Sequence, residues 1–113
     1  MSLVSLRLAT IIQRELVVII NEFPKDGSIG YINITAVDVT KDLSYAYIYY
    51  TILNDKEQAK NAAKAFLDEK NATIRMQLAK KIKDSRKIPT LVFKYDVSLE
   101  TGNRIEKLLE EAK

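Results

Sequence analysis

From Ser5 to Phe23 the apolar residues Leu8, Ile11, Ile12, Leu16, Ile19, Ile20 and Phe23 recur at steps of three and four, which predicts an amphipathic helix. Pro24 and the segment Asp26-Gly27-Ser28-Ile29-Gly30 end it in a loop. The period then changes to two. In Tyr31 to Thr40, Ile32, Ile34 and Ala36 alternate with polar residues before Val37 and Val39 shift the phase by one, the signature of a strand with a β-bulge near Ala36. Tyr45 to Ile52 places Ala46, Ile48, Tyr50 and Ile52 on one face and Tyr45, Tyr47, Tyr49 and Thr51 on the other. The short connection Lys41-Asp42-Leu43-Ser44 makes the pair an antiparallel hairpin.

Asn54-Asp55-Lys56-Glu57 reads as a capping box, with Asn54 as the cap and Glu57 reaching back. The helix it opens would bury Ala59, Ala62, Ala63, Phe66 and Leu67. The pattern breaks at Lys70-Asn71-Ala72-Thr73, and a second helix follows through Ile74, Leu78 and Ile82. Ile88 precedes Pro89 and so avoids helical backbone, which closes that helix. Thr90 to Tyr95 is a third strand, and Asp96 to Ser98 lead into a last helix burying Ile105, Leu108, Leu109 and Ala112. The order is α-β-β-α-α-β-α. A helical crossover joins the second and third strands, so these should be parallel, with the most apolar strand, the second, in the centre. The expected class is α+β, a three-stranded mixed sheet with helices packed on one face.

At 113 residues, without internal repeats or a Pro/Gly-rich linker, the chain is expected to form a single domain over 1–113. It contains no Cys and no His, which excludes disulfides, thiolate or imidazole metal sites and catalytic triads with an imidazole base. No phosphate-binding glycine motif is present, and no cofactor or metal is expected. The longest aliphatic run, Leu16 to Ile20, cannot cross a bilayer, and no secretory pattern opens the chain. A cytoplasmic protein without a membrane contact is expected.

The formal charge of +3 conceals its distribution: residues 1–69 carry a net −2, 70–87 a net +6 and 88–113 a net −1. With Ile74, Leu78 and Ile82 facing the core, Lys80 and Lys83 point to solvent, Arg75 and Lys81 flank the apolar stripe on opposite sides, and Arg86 and Lys87 leave the C-terminal end. Together with Lys70 they form a basic ridge suited to a polyanion, whose binding would weaken with salt. The competing readings are a solvated face whose cations favour the negative end of the helix, or a protein-interaction module docking the basic helix on an acidic partner.

Tyr45, Tyr47 and Tyr49 form a row that could stack bases, but tyrosines equally suit a half-buried sheet face, and the row is not taken as a site. Asp38, Asp42, Asp55 and Asp96 fall near strand ends without the spacing of a metal loop or a glycosidase pair, and read as caps and turn formers. A carboxylate enzyme using Asp42 or Asp96 would require one of them to lie in a pocket.

The helical pair between two strands, with a basic second helix, resembles a KH domain of the type whose extra helix and strand come first. The G-x-x-G loop of a true KH domain is replaced by Lys70-Asn71-Ala72-Thr73. The combination resembles the ribosome-binding factor A family over nearly the whole chain. The hairpin pattern is Val37, Val39, Thr40, Asp42-Leu43, Ala46, Ile48 and Tyr49. The more specific C-terminal pattern is Arg86, Pro89, Leu91, Phe93, Asp96, Ser98, Gly102, Arg104-Ile105 and Leu108. Where the family usually carries Ala-x-Gly this chain has Lys70-Asn71-Ala72, and Asn71 tolerates the left-handed backbone a kink would need. The resemblance implies a monomeric, non-enzymatic factor that binds small-subunit rRNA on free or immature small ribosomal subunits. It also implies support of late rRNA maturation including the 5′ end, and importance for growth in the cold. The expected RNA-binding residues are Lys70, Asn71, Arg75, Lys80, Lys81, Lys83, Arg86 and Lys87.

Overall fold

The computed structural model describes residues 3–25, 27–82 and 88–97. Helix α1 (Leu3–Glu22) buries one stripe, Leu8, Ala9, Ile12, Leu16, Ile19 and Ile20. Strands β1 (Ile32–Val39) and β2 (Tyr45–Ile52) form the antiparallel hairpin. Helix α2 (Glu57–Lys81) crosses over to β3 (Thr90–Tyr95), which lies parallel to β2. The sheet order is β1-β2-β3, so the most apolar strand is central, as its pattern predicts. The last predicted helix lies outside the described residues.

The register shift falls between Ile34 and Ala36. It turns Val39 inward after Ile32 and Ile34, and leaves Ala36 exposed. Thr35, the extra residue, donates its hydroxyl to the Asp96 carboxylate beyond β3 and lies 3.3 Å from the Tyr49 carbonyl, so the bulge ties all three strands together. In the hairpin turn the Asp42 carboxylate accepts from the Thr40 hydroxyl at 2.9 Å and the Ser44 amide at 3.1 Å. Leu43 takes φ 64°, the left-handed region, with its side chain packed against the core.

Both helices cover the same face of the sheet. Ala46, Ile48, Tyr50 and Ile52 from β2, with Leu91 and Phe93 from β3, meet the apolar stripes of α1 and α2 in one cluster. Phe23 and Phe66 join the helices edge to face at 6.3 Å between ring centres. Polar side chains bind α1 to the outer edge of β1. Asn21 accepts from the Ile32 amide at 2.9 Å and donates to the Ile32 carbonyl at 2.8 Å, and Gln13 donates to the Ile34 carbonyl at 3.1 Å.

Candidate nucleic-acid interface

Helix α2 differs from its sequence reading in two ways. The predicted capping box is absent: Lys56 holds the cap position without a side-chain bond, and the helix starts at Glu57. The Asn54 side chain is used otherwise, accepting from the Lys56 amide at 3.0 Å and donating to the Ser28 carbonyl at 3.2 Å. The predicted break at Lys70-Asn71-Ala72-Thr73 is also absent, and one helix of 25 residues replaces two. The reason is phase. Leu67 and Ile74, both fully buried, are seven residues apart and therefore stay on one side of an unbroken helix.

Continuity changes what the junction can do. In a G-x-x-G loop the backbone comes close to the nucleotide phosphates. Here residues 70–73 lie inside the helix, where their amide groups are committed to helical hydrogen bonds, so any anion must be met by side chains. Asn71 and Arg75 lie on the flank facing β3. Asn71 donates to the Leu91 carbonyl at 3.0 Å. The Arg75 guanidinium donates to the Pro89 carbonyl at 3.1 Å through Nε and to the Ile88 carbonyl at 2.6 Å through a terminal nitrogen. Both residues therefore fix the start of β3 against the helix while standing at the surface.

Between this half of α2 and the start of β3 lies a groove of about 700 Å³ whose lining includes Asn71, Ala72, Arg75, Met76, Ile88 and Thr90. Asp68 and Glu69 close its N-terminal end. Lys70 is half-buried and Lys80 and Lys81 are exposed, so the described ridge is cationic toward the C-terminal end of the helix. Lys83, Arg86 and Lys87 lie outside the described residues.

Three further lysines escaped the sequence reading. Lys64 donates to the Phe93 carbonyl at 2.6 Å and pairs with Asp68 at 3.2 Å, and Lys60 lies 4.9 Å from the centre of the Tyr95 ring. On β3, Lys94 stands 4.8 Å from the centre of the Tyr47 ring. Lys60, Lys64 and Lys94 line a second groove of about 660 Å³ with Tyr50 and Tyr95. Plotted at about 100° per residue, Lys60, Lys64, Asn71 and Arg75 share one flank, the signal that could have found Lys60 and Lys64 but not Lys94 on β3. Burial, with smaller effects of Asp68 and Tyr95, pushes the Tyr50 phenol up to about 12.

Asp42 serves the hairpin turn and Asp96 the strand tie, and neither lines the two grooves along α2. Among the described residues, no group of three or more acidic, His or Cys side chains could hold a metal ion, and no helix is long and apolar enough to cross a membrane.

These elements define a KH-like α+β fold in which an extra helix and strand come first and side chains stand where the glycine loop would be. The family model described as Ribosome-binding factor A matches residues 4–109. The Ribosome-binding factor A of Phytoplasma mali is 47% identical over 97% of this chain and 96% of its own length. That of Macrococcus caseolyticus is 36% identical over 98% of this chain and 96% of its own. The chain belongs to the ribosome-binding factor A family. Its fold matches the crystal structure of ribosome-binding factor A from Thermus thermophilus with a TM-score of 0.66 at 23% identity, covering 80% of this chain and 94% of the other. It also matches the Thermus thermophilus homology model fitted into a cryo-EM map of a 30S complex, with a TM-score of 0.65 at 21% identity, covering 79% and 91%.

Proposed function

We propose that this chain binds immature small ribosomal subunits in the cytoplasm through their rRNA, as a monomer and without catalysing a reaction, and supports late rRNA maturation including that of the 5′ end, above all in the cold. The observation that carries the reading is the unbroken, C-terminally basic α2 laid along β3. Lys70, Lys80 and Lys81 offer ammonium groups along this half of the helix, while Asn71 and Arg75 hold the start of β3 against it. Lys83, Arg86 and Lys87 follow directly in sequence and extend the same positive charge. Family membership supports the ribosomal partner, and the Thermus thermophilus relative fitted into a 30S complex supports the small subunit.

With the junction amides inside the helix, recognition falls to phosphates and the shape of folded rRNA, and each cation contributes counterion release. The test is co-sedimentation with small subunits across a salt series. Reversing Lys80 and Lys81 together to Glu should weaken binding strongly and flatten the salt dependence by about 0.7 to 0.9 log units per lost contact. Unchanged affinity and slope, with the helix content intact, would overturn the assignment.

A further inference from the structure

The second face of the sheet carries an aromatic row that the helices leave uncovered among the described residues. Tyr45, Tyr47 and Tyr49 occupy alternate positions of β2, and the parallel register sets Val92 beside Tyr47 and Lys94 beside Tyr49. Tyr45 is 48% exposed, and at the far end of the same face Tyr31 and Leu53 are 55% and 97% exposed. Lys94 lies over the Tyr47 ring on this face, so the β3 side of the row is cationic, whereas Lys60 and Tyr95 belong to the helix-covered face. The acidic group Asp38 stands on the opposite side, paired with Tyr47 through β1.

We propose that this face is a second RNA contact, taking unpaired nucleotides whose bases stack on Tyr45 and Tyr47 while their phosphates run along the Lys94 side. The inference rests on the rRNA reading above. Three arguments select the occupant. Alternate tyrosines repeat about every 6.6 Å along a strand, which suits successive bases of an extended single strand. Lys94 is complementary to phosphates, and Asp38 confines them to the β3 side. Three strands of this length present roughly 400 Å², half of what each partner contributes to a stable protein interface, so a second copy of the chain is a poor fit.

Fluorescence anisotropy of the full chain with a labelled oligouridylate of about ten nucleotides and with a blunt RNA duplex tests this directly. Tyr45→Thr and Tyr47→Thr, which keep strand propensity, should each weaken oligouridylate binding about tenfold and leave the duplex unaffected, whereas Tyr47→Phe keeps the ring and the affinity. If Tyr47→Thr fails to fold, the more exposed Tyr45→Thr carries the test. Oligouridylate binding that is absent, or undiminished in both Thr variants, overturns the proposal. So does a dimer in sedimentation that Tyr45→Thr dissociates, since the face would then belong to a second copy. Lys80→Glu with Lys81→Glu distinguishes the two readings. Subunit binding lost in that variant, with the tyrosines inert, sinks the sheet-face proposal alone. Subunit binding indifferent to the lysines sinks the reading on which it rests.

Discussion

Replacing Ala72 with Gly, which restores the glycine of the Ala-x-Gly pattern, should destabilise this chain. Ala72 lies fifteen residues into α2 and is exposed, so the substitution removes no buried contact and acts only on the backbone. Glycine in an exposed helix interior costs about 1 kcal/mol relative to alanine, mainly through the freedom it has in the unfolded chain. For 113 residues the unfolding entropy is roughly 0.24 kcal/mol/K, so the melting temperature should fall by about 4 °C. Thermal unfolding followed by circular dichroism at the helical minimum measures this shift, and co-sedimentation with small subunits should be unchanged. A melting temperature that holds or rises in Ala72→Gly would refute the reasoning, because it would mean that the backbone at this position leaves the helical region, where glycine is neutral or favoured.

Two other outcomes test how the helices and sheet are joined. Asn21→Ala removes both bonds to Ile32 and should lower stability by about 2 to 3 kcal/mol, read as a shift in the urea midpoint at constant slope; a loss below about 1 kcal/mol would contradict the role given to the amide. The Tyr50 phenol, pushed up to about 12, stays protonated in the folded chain after it has ionised in the unfolded one. Stability is therefore fully present below about pH 10 and falls between about 10 and 12, by up to roughly 1.4 kcal/mol per pH unit. Tyr50→Phe should lose this component, so the difference in urea midpoint between wild type and variant should shrink from about pH 9 to about pH 11, and a constant difference would contradict the assignment.

The strands were legible because their instructions are local. The two-residue period of Tyr45 to Ile52 names both faces, and the shift from Ile34 to Val37 requires a bulge whatever packs on it. Helix α2 was misread where polar residues interrupt the apolar stripe. Lys70 and Asn71 occupy half-buried positions, and Asn71 faces the edge of β3, so what reads as a break along the chain is a polar anchor in three dimensions. Only knowledge of the neighbouring strand separates these two cases, although the seven-residue step from Leu67 to Ile74 already keeps the helix in phase. Asn54 failed as a cap for a similar reason: its amide bonds to Ser28, 26 residues earlier, a contact that no local window contains. For the candidate interface, charge density along the chain singled out Lys70, Lys80 and Lys81 but passed over Lys60, Lys64 and Lys94, and the sharing of Arg75 between surface and backbone is visible only in three dimensions.

The side chains that α1 and α2 extend to the sheet also govern how the protein meets other chains. Outward carbonyls of Ile32 and Ile34 on one margin, and of Pro89, Leu91 and Phe93 on the other, already receive donors from Asn21, Gln13, Arg75, Asn71 and Lys64. An incoming strand would have to displace amide, guanidinium and ammonium groups before it could lengthen the ladder, which disfavours both strand addition and edge-to-edge aggregation. A small protein built this way can expose both broad sides of its fold without its sheet recruiting a stray peptide.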